Sequence, residues 1–213
     1  MKVTIIYDNT AHKKELRADW GFSCLVEAER NPKILFDTGT KGAILLANME
    51  QLNIDPASID EVFISHAHFD HTGGLTALLG VNDNIKLYVP RSVRVVRGIK
   101  KVISVSEPLQ IHENIFSTGE VDHIEQSMAV TTEKGVVLIV GCSHPKMDHI
   151  LNAASQFGKV YAIVGGMHGF TEFELFRDFK LICPTHCTQH IEAIKSLYPG
   201  KYIDGGAGQI IEF

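Results

Sequence analysis

Four times in this chain a short apolar run stops and a histidine follows within four residues. Val62-Phe63-Ile64 leads into Ser65-His66, and Val136–Val140 into Gly141-Cys142-Ser143-His144. Val160–Val164 leads into Gly165-Gly166-Met167-His168, and Leu181–Cys183 into Pro184-Thr185-His186. Runs this short, with no polar residue alternating through them, read as strands buried on both faces. Polar ligands gather where such strands end, at the carboxyl edge of a sheet. A fold that brings four of these edges together collects a cluster of imidazoles.

The rest of the chain is consistent with sheets covered by helices. Val3–Asp8, Ser23–Ala28, Lys33–Asp37, Lys86–Val89, Ile115–Ser117, Met128–Thr132 and Gln209–Phe213 are further strand segments bounded by turn formers. Helices are expected from Gly42 to Leu52, over Thr72–Leu79, from Met147 to Phe157 with Ser143 as its cap, and over Thr188–Leu197. Strands interleaved with helices imply two sheets with helices packed outside. At 213 residues, with no internal repeat or linker, the expectation is a single α+β domain over 1–213.

The densest chemistry is Ser65-His66-Ala67-His68-Phe69-Asp70-His71-Thr72-Gly73-Gly74. Zinc and similar divalent ions take imidazole nitrogen and carboxylate oxygen as ligands. After a strand, His66 and His68 can point to one side, and Asp70 and His71 can reach a neighbouring position as a helix begins. Gly73 and Gly74 let the backbone pass closely beneath. The cluster nearly completes one metal site; a second needs ligands from later strand ends.

This pattern resembles the metallo-β-lactamase superfamily, whose signature is HxHxDH after a strand and whose fold is a four-layer αβ/βα sandwich. Leu35-Phe36-Asp37-Thr38-Gly39 resembles that family's early Asp-Thr-Gly segment. The GCSH, GGMH and PTHC segments are similar to a subgroup of metal-dependent hydrolases resembling dihydropterin-ribofuranosyl-aminobenzene phosphate synthase. The resemblance implies one or two divalent ions, zinc first, with manganese and iron as alternatives. His66 and His68 would hold the first ion and Asp70, His71 and His186 the second. The third ligand of the first ion is His144, with His123 as rival. Many relatives carry a bridging aspartate where this chain has Cys142, which either ligates a soft metal as thiolate or packs beside the site. His168 either shuttles a proton and orients substrate or hydrogen-bonds a loop; Asp70 could accept a proton besides binding metal. His12, His112, His149 and His190 have no such context and read as surface or helix-face residues.

These residues point to a metallo-hydrolase that activates water against a phosphate ester or a cyclic ester. The alternatives are a mononuclear iron dioxygenase-type redox enzyme and a non-catalytic ligand-sensing protein. Net charge is −5, which argues against a nucleic-acid partner; the expected partner is a small molecule able to carry a phosphate. Arg91, Arg94, Arg97 and Lys100 recur every three residues as a positive stripe, either an anion site or a solvated face. Trp20 and Phe22 either wall a pocket for a ring-bearing substrate or pack in the core. No apolar run is long enough to span a bilayer, and the first strand meets Asp8 too early for a signal-peptide core, so the expected location is the cytoplasm.

Overall fold

The computed structural model describes residues 1–93 and 99–213. In chain order the strands of the first half are β1 (Lys2–Tyr7), β2 (Ser23–Glu27), β3 (Ile34–Phe36), β4 (Glu61–Phe63), β5 (Lys86–Pro90) and β6 (Lys101–Val105). The second half supplies β7 (Leu109–His112), β8 (Ile115–Val121), β9 (Glu125–Thr132), β10 (Gly135–Val140), β11 (Val160–Gly166), β12 (Leu181–Thr185) and β13 (Ile210–Glu212). The helices are α1 (Gly42–Gln51), α2 (Phe69–Thr72), α3 (Leu75–Val81), α4 (Met147–Ser155) and α5 (Ile191–Leu197).

Among the described residues the strands form two sheets, in the orders β13-β1-β2-β3-β4-β5-β6 and β12-β11-β10-β9-β8-β7. Apolar side chains from both fill the space between them: Val3, Phe36 and Phe63 from one, Met128, Ile139 and Val164 from the other. A second cluster lies between the first sheet and α1 and α3, with Leu35, Val62, Leu45 and Leu78. A third joins Leu138, Val140 and Ile163 of the second sheet to Met147, Ile150 and Ile194 of α4 and α5. The layers therefore run αβ/βα. Strands covered on both faces have no solvent side, which is why β10 and β11 lack polar alternation.

The parallel pairs set the position of the site. β3, β4 and β5 run parallel, as do β10, β11 and β12. Their carboxyl ends share one rim of the sandwich, so residues 37, 65–71, 141–144, 165–168 and 185–188 converge there.

Three details differ from the sequence reading. The helix expected over Thr72–Leu79 is two helices, α2 and α3, separated by Gly73 and Gly74. A methyl on either glycine would overlap a carbonyl, that of Thr40 or that of Thr38, so the close approach expected of this pair is real. Ser143 does not cap α4; its Oγ donates to the Gly166 carbonyl at 2.7 Å, and Lys146 precedes the helix without a side-chain cap. Strands β6 and β7 have no counterpart in that reading: β6 is largely exposed at a sheet edge, so burial imposes little pattern on it. Of the basic stripe, Arg94 and Arg97 lie outside the described residues, and Lys100 pairs with Asp83 at 2.8 Å.

Candidate metal centre

Two sets of ligand atoms converge at the rim. In the first, His68 Nδ1 lies 3.1 Å from His66 Nε2 and 3.1 Å from His144 Nε2. His68 is exposed and His144 half-buried, so this set faces solvent. In the second, Asp70 Oδ2 lies 3.2 Å from His186 Nε2 and 4.0 Å from His71 Nε2. His71 and His186 are buried. Within each set the ligand atoms lie no more than 4.8 Å apart.

The surrounding hydrogen bonds fix which nitrogen is free on His66, His71 and His186. Ser65 Oγ donates to Asp37 Oδ2 and so accepts from His66 Nδ1 at 2.8 Å, leaving His66 Nε2 as lone pair. His71 Nδ1 faces Asp37 Oδ2 at 2.7 Å, and His186 Nδ1 faces Asn9 Oδ1 at 3.0 Å. In each case the other nitrogen points into the centre, the arrangement by which ligand histidines are oriented in metal sites. Asp37 is fully buried and also accepts Ser65 N–H at 2.7 Å.

Burial, then the neighbouring His71, pushes His66 down to about 2; burial, then His186, pushes His71 down to about 3. Burial also lowers His144. Burial favours protonating Asp70, but the adjacent His186 and His71 side chains outweigh it and hold the carboxyl below the usual range. Burial raises Asp37 to about 7, opposed by His66 and by the Ser65 hydrogen bonds. At neutral pH His66, His71 and His144 are unprotonated and Asp70 is ionised, the state that binds metal.

The donor set fits divalent cations. His186 Nε2 is buried without a hydrogen-bond partner, although it lies beside Asp70 Oδ2. A buried polar atom left so is costly, and a cation shared with Asp70 and His71 would satisfy it. Three converging imidazole nitrogens in the first set make the same case.

The other sequence candidates divide. Cys142 is buried between the sets, its Sγ 3.1 Å from His71 Nε2. His168 is exposed, its ring centred 5.2 Å from that of His144 at the mouth of a cavity of about 480 Å³. His123 is not brought to the centre: it sits exposed on the turn before β9 with φ 59°. The side chain that enters from β9 is Glu125, which the sequence reading missed. Its Oε1 accepts N–H from Gly141 (2.9 Å), Cys142 (3.0 Å) and Ser143 (3.2 Å), and its Oε2 accepts from His144 (3.1 Å). Its local sequence, a glutamate at a strand start, does not set it apart.

Trp20 and Phe22 part company. Phe22 is core, against Phe36; Trp20 is 57% exposed and donates Nε1–H to Asp70 Oδ2 at 2.8 Å. Asp37 (φ 54°), Ser143 (59°), His168 (42°) and His186 (50°) all adopt left-handed backbone. Such residues cost of order 1–3 kcal/mol each and cluster at functional sites.

Residues 21–108 match the model of the metallo-β-lactamase superfamily. That segment is less than half of the chain, and over it the chain is similar to the superfamily. It is 29% identical, over 87% of its length and 86% of the relative's, to the 7,8-dihydropterin-6-methyl-4-(β-D-ribofuranosyl)-aminobenzene-5'-phosphate synthase of Methanocaldococcus jannaschii. It shares its fold with Tm1679, described as a metal-dependent hydrolase of the β-lactamase superfamily (TM-score 0.85, 24% identity, 100% and 99% of the two chains). The metallo-β-lactamase fold protein YhfI of Bacillus subtilis is similar at TM-score 0.71 and 15% identity, over 100% and 98%. Among the described residues, no helix is long and apolar enough to cross a membrane.

Proposed function

We propose that this protein is a metal-dependent hydrolase acting on a small phosphate ester or cyclic ester. The observation that carries the reading is the pairing of two ligand sets, His66/His68/His144 and Asp70/His71/His186, side by side at one rim. Divalent ions, if held by these residues, would supply Lewis acidity toward an ester oxygen and a bound water. Asp70, kept ionised, can take the proton of an attacking water while Trp20 holds its Oδ2 in place. His168 stands at the mouth, where it can donate to a departing oxygen.

The cavity beside His144 and His168 is also lined by Lys146, Phe170 and Thr171, a cation, a ring and a hydroxyl suited to a phosphorylated, ring-bearing molecule. The relative's name, which includes a dihydropterin, a ribofuranosyl-aminobenzene and a 5'-phosphate, favours a second reading: a synthase reaction on such a compound at the same centre. Both readings take a small molecule rather than a nucleic acid and place the protein in the cytoplasm.

The deciding measurement is metal content of protein purified without added metal, together with turnover of a phosphodiester, a phosphomonoester and a lactone. About two zinc or manganese ions per chain with metal-dependent turnover of one ester is the expected result. Metal-replete protein that hydrolyses none of the three, yet joins a phosphorylated ribosyl compound to a pterin, moves the assignment to the synthase. One iron with no ester turnover returns it to the oxygenase.

A further inference from the structure

The second ligand set has thiols on its other side. Cys142, His186 and Cys187 offer ligand atoms within 4.8 Å of one another, and so do His66, His71 and Cys142. All five side chains are buried. Cys142 Sγ therefore belongs to both sets, 3.1 Å from His71 Nε2 on one side and near Cys187 on the other. Cys187 follows the ligand His186 directly, and its Sγ–H points to the Cys142 carbonyl at a long 3.7 Å. Gly166 makes room for the pair: a methyl there would press on Cys187 Sγ and crowd the Cys142 backbone. These contacts place two thiols around the unpartnered Nε2 of His186.

Resting on the metal-dependent reading above, we propose that the buried half of the centre is a thiolate cage. Cys142 and Cys187 join His186, the three ligand atoms lying within 4.8 Å of one another, around the second ion and select a thiophilic cation, Zn2+ or Fe2+, over Mn2+ or Mg2+. Asp70 Oδ2 lies 3.2 Å from His186 Nε2, and His186 also groups with the two thiols, so carboxylate and sulfur compete for the ion at that imidazole. A hard ion is held by the carboxylate side, whereas a soft ion is drawn toward sulfur. Binding replaces the thiol protons, so each thiol that ligates releases one. A small residue packed for shape alone would explain one cysteine here but not a second with its sulfur in the same cluster.

The test uses the metal-free full chain titrated with Co2+, which reports thiolate ligation as a sulfur-to-cobalt charge-transfer band in the near ultraviolet. The expected result is a band that grows with the buried equivalent, with about half its intensity lost in Cys142→Ser and in Cys187→Ser and all of it lost in the double variant. Competition with a chelator should show Zn2+ affinity falling about 10- to 100-fold in each single variant, with Mn2+ affinity changed less than about 3-fold. Wild-type protein that binds two Co2+ per chain without a thiolate band overturns the cage and leaves the hydrolase reading standing. A band that survives intact in Cys187→Ser removes Cys187 from the cage and overturns the proposal as stated. No Co2+ binding at all overturns both readings. The wild-type spectrum needs no substitution, and Cys187→Ala serves if the serine variant misfolds.

Discussion

Replacing Glu125 by glutamine should damage the centre without touching a ligand atom. The carboxylate is buried and receives four backbone N–H groups from the Gly141–His144 turn. Hydrogen bonds to a charged acceptor are worth roughly 1.5–3 kcal/mol each, less when several share one oxygen. Glutamine keeps one oxygen for Gly141, Cys142 and Ser143 but turns an amide NH2 toward His144 N–H, so one charge-assisted bond becomes a donor facing a donor. The expected loss is about 2–4 kcal/mol in denaturant unfolding of the metal-free protein. His144 is carried on that N–H, so metal affinity at the solvent-facing set should fall about 10- to 100-fold in chelator competition, the usual cost of removing a ligand's support. Stability within about 0.5 kcal/mol of the parent, together with unchanged metal affinity, would refute the idea that this carboxylate holds the turn.

Further substitutions and pH probe the rest of the centre. Asp70→Ala removes a proposed ligand and the acceptor of Trp20; protein keeping two ions per chain and full turnover would sink the assignment. In metal-free protein His66 and His71 titrate below their unfolded value of about 6.5, so their contribution is present above that pH and fades on acidification. By pH 5 each has lost about 2 kcal/mol, at 1.4 kcal/mol per unit. Asp37, raised to about 7, acts oppositely and gains stability as pH falls from 7 toward 4. Asp37→Asn removes that offset, and melting curves at pH 7 and pH 5 should show a steeper acid loss in the variant; equal losses would contradict the sign. Gly73→Ala drives a methyl into the Thr40 carbonyl and should cost about 1–3 kcal/mol or more in thermal unfolding, where an exposed helical glycine would gain.

The fold and half of the centre were legible because they are written locally. His66, His68, Asp70 and His71 lie within six residues, and the strand ends before His144, His168 and His186 announce themselves by apolar runs. Glu125 was not legible: one glutamate at a strand start looks like any other until four amides of another strand's turn close on it. Trp20 and Cys187 were hidden for the same reason, since Asp70 and Cys142 are their partners only after the sandwich closes. β6 escaped because its outer residues carry no hydrophobic period.

His186 hangs from the turn after β1: its amide donates to Asp8 Oδ1 at 2.8 Å, and Asn9 grips both its ring and its carbonyl. During synthesis Asp8 and Asn9 precede their partner by 178 and 177 residues. A ribosome-bound intermediate that already displays His66-Ala67-His68-Phe69-Asp70-His71 has no closed cage on its buried side. Loading of that position would thus report that β12 has docked beside the end of β1.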